Sequence, residues 1–434
     1  MSALLGRRAW LVGAGLCAIS AGRHAWAMGR TPLGGILRFE LPWAVSQLDP
    51  HELYDACAAL FGPAICDPLY DLDAHGRAYP ALADGPPRAS GHGWHIKLRP
   101  NLVSGLGRAV GPADVHWSLV RAKARAARGL LAEFGAVRVM ADGVAFERGS
   151  ATNLTRALAS PCCAILPRGF DSRRPDGTGA LTARPSGGGL VLRRNPRAAR
   201  GASFLEQITL RPSRSIADAL RAFESGAVDV GWLGDGLHRR RPGAQPFKAP
   251  QVGWVVLRTG SQAGAWAAPG VAQSLVDGLP RGSLSRFGLN PTGSGSTRWG
   301  GGDAELGVDA TAPFLVEVAE AIASTLSKSG HQLRVARLPP AELALRRRVG
   351  GFALMLDVVR NFGLGAALDN LALLTAANPA LANRPPRLAS TSAAQLARSL
   401  PLGIVGELRP AGYFAGSWRE LSGWDFGRVY VAKR

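Results

Sequence analysis

The residues of this chain that could do chemistry are scattered, and no catalytic set is found among them. The sequence holds no G-x-S-x-G elbow, no H-E-x-x-H pair, no Walker loop and no dinucleotide fingerprint after a first strand. His92 and His95 are the closest histidines beyond the N-terminal segment, and two histidines in or beside a strand do not make a metal site. The sequence therefore predicts a protein that is not an enzyme and has no cofactor or metal.

Four cysteines lie beyond the N-terminal segment: Cys57, Cys66, Cys162 and Cys163. The sequence alone does not fix a pairing. Cys57 and Cys66 fall on one predicted helix, too far apart to bridge directly. The adjacent pair Cys162-Cys163 could hold a strained bond or be two small apolar residues, and we favour the second reading.

The chain is strongly basic, with a formal net charge of +20. Only five of its 51 basic residues are lysine, a bias more typical of a GC-rich coding sequence than of a binding face. Residues 239–241 form a dense arginine cluster without the aromatic or helical context of a nucleic-acid site. With 47% apolar residues, the 434-residue chain can build two or more lobes and is not expected to bind nucleic acid.

The N-terminus carries an export signal. Arg7 and Arg8 precede the apolar residues 9–21, and Ala25-Trp26-Ala27 forms a cleavage site. We therefore predict a signal peptide over residues 1–27, cleaved near Ala27, and a periplasmic protein. Both the twin-arginine and the general secretory routes remain open.

The elements that must position any site are clearest in residues 177–233. A glycine-rich turn opens this segment, and two strand-like runs follow it. Ser215 then starts an amphipathic helix in which Ile216, Ala219, Leu220 and Phe223 share one face. The next strand begins at Val228, so the segment predicts a βαβ unit and parallel pairing.

A second α/β region spans residues 304–356. The apolar spacing predicts a helix over residues 314–328, between a strand at 304–308 and another at 333–335. A further helix and the buried strand 352–356 complete an order typical of a parallel sheet. The Gly/Ser/Thr-rich residues 292–302 are predicted to form a flexible surface loop.

The order of these pieces resembles one family, the extracellular solute-binding proteins of family 5, which include the peptide/nickel-type receptors of ABC importers. The similarity rests on GTGA at 177–180, LRRNP at 192–196 and ESGAVD at 224–229. It extends to DPLYDLDAHGRAYPALAD at 67–84 and WHIKLRP at 94–100. Residues 130–168 are shorter than the family's second domain.

The resemblance implies an α/β fold of the type II periplasmic-binding-protein kind, with two lobes around a hinge and a reduced extra subdomain in the first lobe. Lobe I would comprise residues 28–50, 165–258 and 400–434, the subdomain residues 51–164, and lobe II residues 259–399. It implies a monomer that captures a small solute, peptide-like or otherwise, for membrane ABC permease subunits. The alternative is a degenerate relative with a structural or signalling role.

The resemblance brings three segments to the cleft between the lobes, residues 43–47, 231–234 and 357–363. Peptide-binding relatives have a tryptophan and an acidic residue in the third segment, where this chain has Arg360 and Asn361 after Asp357. An ordinary peptide is therefore in doubt, and Arg360 either binds an anionic group or is a surface residue. The predicted ligand-binding residues are Trp43, Ser46, Trp232, Leu233, Arg360 and Asn361.

Overall fold

The structure is a computed structural model that describes residues 33–45, 47–232, 241–291, 293, 295–378, 391–419, 426 and 430–431. The predicted signal peptide, Ser46 and Leu233 lie outside these residues. The strands are β1 (Ile36–Leu41), β2 (Tyr70–Leu72), β3 (Ala78–Pro80), β4 (Arg88–Ser90), β5 (Gly93–Lys97), β6 (Val137–Val139), β7 (Gly143–Phe146), β8 (Leu181–Ser186), β9 (Gly189–Arg194), β10 (Gln207–Pro212), β11 (Val230–Trp232), β12 (Gln245–Lys248), β13 (Gly253–Thr259), β14 (Ala304–Asp309), β15 (Leu333–Leu338), β16 (Leu354–Arg360), β17 (Leu402–Leu408), β18 (Ala411–Phe414), β19 (Trp418–Arg419) and β20 (Tyr430–Val431).

The helices alternate with these strands. The α-helices are α1 (Ala56–Ile65), α2 (Pro112–Ala124), α3 (Arg128–Leu131), α4 (Ala151–Ala157), α5 (Ile216–Glu224), α6 (Val271–Asp277), α7 (Pro313–Leu326), α8 (Pro340–Val349), α9 (Ala366–Ala377) and α10 (Ala393–Ala397). Short 3-10 turns occupy Ala132–Phe134, Pro161–Cys163, Ser261–Ala267 and Ser285–Phe287. Among the described residues, no helix combines the length and the apolar character that a membrane span requires.

The first lobe is built on a seven-stranded sheet in the order β12-β18-β11-β1-β10-β9-β8. Strand β1 lies between β10 and β11 and is parallel to both, so the predicted βαβ unit of β10, α5 and β11 is confirmed. In α5, Ile216, Ala219 and Phe223 are buried as the spacing predicts. The remaining pairs of this sheet are antiparallel, and the sheet as a whole is mixed.

The second lobe is built on a five-stranded sheet in the order β15-β14-β16-β13-β17. Its parallel part, β15-β14-β16, is the predicted strand-helix-strand-helix-strand region, with α7 and α8 as the crossovers. Helix α7 buries Leu315, Val318 and Ile322 as predicted. Strands β13 and β17 add an antiparallel edge beside β16.

The chain passes between the two sheets at residues 249–252 and returns at residues 409–410. The predicted lobe boundaries at 258/259 and 399/400 are therefore wrong by one strand each, because β13 and β17 pair inside the second sheet. Strand β13 is buried throughout and β17 is largely apolar, and an apolar run indicates a buried strand without indicating its partner. The two crossings touch, since the Ala249 N–H donates to the Pro410 carbonyl at 2.7 Å.

The reduced subdomain contains a four-stranded antiparallel sheet in the order β4-β5-β7-β6 and a β2-β3 hairpin. Its apolar core is not closed off from the second lobe. Buried residues of the subdomain, among them Leu130 and Leu158, form one cluster with Trp254, Val359 and Leu373. The subdomain predicted for the first lobe is therefore also packed on lobe II.

The glycine-rich turn at residues 177–180 is required by a close backbone approach. A Cβ on Gly177 would lie 2.4 Å from the carbonyl oxygen of Ile65, and one on Gly179 would lie 2.6 Å from the Ile65 carbonyl carbon. Real Cβ atoms do not come this close, so only glycine allows the turn to pass the end of α1. The turn therefore fixes α1 against the first sheet, and α1 forms one wall of the cavity described next.

Candidate functional site

A cavity of about 1020 Å³ lies between the lobes, beside the first crossing segment. Its volume is at the upper end of the range usual for small-molecule sites. One wall is apolar and includes Leu60 and Pro63 of α1, together with Phe204 and Phe426. The opposite side is formed by residues 250–252 of the crossing and by Arg360, Asn361 and Gly363, which end and follow β16.

Arg360 is the most unusual side chain of this cavity. It ends a strand in which every residue is buried, and it is only 2% exposed. Its backbone N–H donates to the Leu53 carbonyl at 3.0 Å, and Nη1 donates to the Pro50 carbonyl at 2.9 Å. The buried Nε has no hydrogen-bond partner, and no carboxylate of the described residues forms an ion pair with the guanidinium. Because arginine stays protonated, the site holds a buried positive charge with donor capacity to spare.

The positive charge of Arg360 acts on the carboxyl group of Asp55, which caps α1. Its two oxygens accept the N–H groups of Asp49 and Ala58 at 3.0 and 2.8 Å. Burial raises the pKa of Asp55 to about 6, and the positive charge of Arg360 opposes this rise. Asp55 is therefore engaged in the helix cap, and Arg360 is left to the cavity.

Asn361 connects the cavity to the crossing segment. Its backbone N–H donates to the Val252 carbonyl at 2.9 Å, and its side-chain Nδ2 donates to the Gln251 carbonyl at 2.7 Å. Gln251 and Val252 also line the cavity. A molecule in the cavity would therefore contact both the end of β16 and the segment that joins the two lobes.

The far end of the cavity is polar and its groups are bonded to one another. The Arg200 guanidinium lies 2.6 Å from an Asp71 oxygen and donates to the Tyr79 hydroxyl, also at 2.6 Å. It stacks on the Tyr79 ring, with 5.6 Å between Cζ and the ring centroid. Burial raises the pKa of Asp67, whose carboxylate accepts the Thr178 hydroxyl at 2.8 Å.

Sequence reasoning missed this polar end. Asp67, Asp71 and Tyr79 lie within the stretch 67–84, and Thr178 lies in the glycine-rich turn, but none of these four residues is among the predicted ligand-binding residues. The available signal was the density of carboxylates in DPLYDLD, which is unusual beside a buried helix. Arg200 follows Arg197 in an exposed-looking loop, and nothing local marks it.

The structure brings together only part of the predicted site. Arg360 and Asn361 line the cavity, whereas Trp43 is buried and packs edge-on against Phe314, with ring centroids 5.9 Å apart. Trp43 is not one of the cavity-lining residues. The backbone of Trp232 pairs with Gly412 in β18, and its side chain, like Ser46 and Leu233, lies outside the described part.

Asp357, the acid of the third predicted segment, is held away from the cavity. Its carboxylate accepts two bonds from Arg347, at 2.7 and 3.1 Å, and lies 3.6 Å from Arg258. The Arg347 guanidinium in turn lies 3.8 Å above the Tyr54 ring. In this part of the chain, therefore, the cavity presents the guanidinium of Arg360 and no free carboxylate.

Within the described residues, no group of three or more His, Cys, Asp or Glu side chains has an arrangement that could hold a metal ion. The four cysteines beyond the N-terminal segment are unbonded and buried. For Cys162 and Cys163 this agrees with the favoured reading as two small apolar residues. Burial raises the pKa of Cys57, Cys66 and Cys163 well above the ordinary value.

Comparison with solved structures identifies the architecture. The periplasmic binding protein AgaA from A. tumefaciens R10, in complex with agropinic acid, superposes with a TM-score of 0.69 at 15% identity, covering 92% of this chain and 99% of that one. The Escherichia coli murein tripeptide binding protein MppA gives 0.70 at 14% identity, with coverage of 93% and 99%. This chain has the type II periplasmic-binding-protein fold.

The binding-protein fold accounts for nearly the whole chain. DppA from Helicobacter pylori, in complex with the peptide STSA, superposes with a TM-score of 0.67 at 13% identity, covering 93% of this chain and 99% of that one. The similar structures include family 5 solute-binding proteins, so the resemblance predicted from the sequence is confirmed at the level of the fold. No family model and no curated protein matches the sequence.

Proposed function

We propose that this protein is an exported solute-binding protein that captures a small solute in the interlobe cavity and delivers it, as a monomer, to the permease subunits of an ABC importer. The observation that carries the proposal is the cavity of about 1020 Å³ with the buried, incompletely bonded Arg360 in its wall. Solved structures of the same fold bind agropinic acid and peptides. The alternative, a relative without a ligand, has no comparable support.

The chemistry of the cavity favours a solute with one anionic group. A guanidinium matches a carboxylate or a phosphate with two parallel hydrogen bonds, and Arg360 has an unused Nε for such a pair. The wall formed by Leu60, Pro63 and Phe204 would cover an apolar part of the same solute. The chain lacks a free carboxylate at the described end of β16, so an α-amino group is not the feature recognised there.

The test starts from native mass spectrometry of the protein purified from its own periplasm, which identifies the solute that co-purifies. Calorimetry with that solute then compares wild type with Arg360→Ala. Removing one partner of a largely buried charge pair costs about 2–5 kcal/mol, or roughly 30- to several-thousand-fold in affinity. We expect Arg360→Ala to lose at least the lower factor, and Arg360→Lys to recover only part of it because lysine has no planar fork.

The matched control is Arg346→Ala on α8. Arg346 forms its ion pairs with Glu305 and Glu342 within lobe II and is not part of the cavity. Its removal should leave the affinity unchanged within error. Equal affinities for wild type and Arg360→Ala, with both proteins folded, would remove Arg360 from the binding site.

Export is the second part of the proposal, supported by Arg7, Arg8 and the Ala25-Trp26-Ala27 site. N-terminal sequencing of the mature protein should begin at Met28 or within a residue or two of it. Replacing Arg7 and Arg8 together by lysine distinguishes the routes, because the twin-arginine pathway requires arginine. A soluble cytoplasmic protein that keeps Met1 would contradict the receptor function.

A further inference from the structure

The first sheet carries a group of exposed arginines on the face that points away from its core. Strands β8, β9 and β10 together contain four arginines and no Asp or Glu. Leu192 and Leu210 of these strands belong to the buried core of lobe I. Because side chains alternate along a strand, Arg184, Arg193 and Arg211 lie on the opposite face, and all three are exposed. We name these three residues the arginine face.

The strand register brings the members of the arginine face close together. Arg184 lies opposite Val191 in the antiparallel pair of β8 and β9, and Arg193 is two residues further along β9. Residues in this diagonal relation are about 7–8 Å apart. Arg211 follows on β10, which pairs with the other edge of β9. In the part of the chain that the structure describes, no carboxylate pairs with any of the three. Their charges repel one another, and a negatively charged surface would relieve that repulsion.

Helix α5 covers the other half of the same face. Tyr413 of β18, which pairs with Gly231 of β11, packs against the buried cluster that includes Phe223 of α5. At the boundary, the Arg38 side chain donates to the Asp229 carboxylate at 3.0 and 3.1 Å, so its charge is balanced within the chain. Over β8, β9 and β10, by contrast, the side chains on this face are exposed or half-buried. The half that α5 leaves open is therefore the half with unbalanced positive charge.

Exposed apolar side chains lie at one end of the arginine face. Ile36 of β1 is the register partner of Gln207, which pairs in turn with Arg193. Ile36 is 46% exposed, and Leu33, just before β1, is 70% exposed. Arginines beside exposed apolar residues suit the boundary of an anionic bilayer, where cations meet the headgroups and apolar side chains enter between them.

We propose that the arginine face docks the exported protein on a bilayer that contains anionic phospholipid. The net charge of +20 attracts the whole molecule to such a surface, and the arginine face orients it there. A protein partner fits less well, because the centre of a protein interface is apolar, whereas Gln207 and Thr209 lie between these arginines. Docking would hold the protein beside the membrane, and it does not depend on the interlobe cavity.

Co-sedimentation with lipid vesicles tests this docking. The mature protein beginning near Met28 is used, because the apolar residues 9–21 would bind a bilayer by themselves. We expect wild type to bind vesicles that contain phosphatidylglycerol, to ignore vesicles of phosphatidylcholine alone, and to be released by high salt. An arginine at an anionic surface contributes roughly fivefold in affinity. Each single change to glutamine should therefore cost about fivefold, and Arg184→Gln/Arg193→Gln/Arg211→Gln about a hundredfold.

The matched control is the triple variant Arg88→Gln/Arg334→Gln/Arg348→Gln. These arginines are exposed residues of the subdomain and lobe II, and their removal lowers the net charge by the same amount. The control should bind within a few-fold of wild type. Equal losses in the two triple variants would overturn the proposal, because net charge alone would then explain the binding.

Two results with wild type would also overturn the proposal. Equal binding to vesicles with and without phosphatidylglycerol would show that the charge of the arginine face is not what the bilayer recognises. No binding to the anionic vesicles at low salt would leave an acidic protein as the partner of this face.

Discussion

His51 is a single residue whose burial predicts a pH dependence of stability. It is fully buried, and its Nε2 lies 2.8 Å from the Ala164 carbonyl, whereas Nδ1 has no partner among the described residues. Burial lowers the pKa of His51 from 6.5 to about 4; Arg121 and Arg125 also lower it, and Asp49 raises it. The folded protein therefore resists the proton that the unfolded chain accepts.

The sign follows from this difference. As the pH falls from about 6.5 to 4, the unfolded state gains a proton at His51 that the folded state does not, so the folded state loses stability. The loss from this group is about 1.4 kcal/mol per pH unit. Urea unfolding across this range should show wild type losing stability relative to His51→Asn, which cannot titrate. Parallel profiles for the two proteins would contradict the assignment.

Asp55 makes the stability depend on pH in the direction opposite to that of His51. Its pKa is about 6 in the folded protein against an ordinary 3.8, so the folded state takes up the proton first as the pH falls. Asp55 therefore adds stability as the pH falls from about 6 to 3.8. Asp55→Asn keeps a helix-capping oxygen and removes the titration. In the same urea series, the free energy of unfolding of wild type should rise relative to Asp55→Asn as the pH falls. Over the same pH range it should fall relative to His51→Asn.

At the scale of elements, the contact between the subdomain and lobe II depends on a buried charged network. Tyr54 of the subdomain lies under Arg347 of α8 and within 3.3 Å of Arg258 of β13. Asp357 of β16 is only 3% exposed and is the carboxylate that both arginines share. Asp357→Ala would leave two largely buried guanidinium groups without their anion.

Breaking a buried pair from one side typically costs about 3–5 kcal/mol. We expect urea unfolding to show that Asp357→Ala lowers the free energy of unfolding by this amount. If the free energy of unfolding of wild type is smaller than this, the variant should not fold. Glu320→Ala removes a carboxylate from an exposed pair with Arg337 and should cost less than about 1 kcal/mol. If both variants lowered the free energy of unfolding equally, the charged network would not be what stabilises the contact between the subdomain and lobe II.

The sequence predicted elements better than it predicted their partners. Helix α5 follows from apolar spacing and its Ser215 cap, and helix α7 follows from apolar spacing, which are local properties. The lobe of β13 and β17 depends on the pairing of β13 with β16 and of β17 with β13, contacts between residues up to about a hundred and fifty positions apart in sequence. The loop predicted at residues 292–302 also hides a buried residue, because Trp299 is 1% exposed and packs on Trp266.

At the scale of the whole molecule, the fold was predictable because several weak motifs occur in a fixed order. The glycine-rich turn is one of them, and its spacing is set by the end of α1 some 110 residues earlier. The site was only partly predictable. Arg360 and Asn361 were expected at the cleft and line the cavity, but Arg200, Asp71 and Tyr79 come from a distant loop and hairpin that only the folded chain brings together.

The four buried thiols give this molecule reporters of its own motion. Cys57 and Cys66 lie at the two ends of α1, and Cys162 and Cys163 lie in the turn that packs under the loop after β16. Buried and held largely as neutral thiols, they react with an alkylating reagent only when their surroundings open. The labelling rate at each cysteine therefore measures the free energy of opening beside the cavity, in the unmodified protein and with no probe introduced.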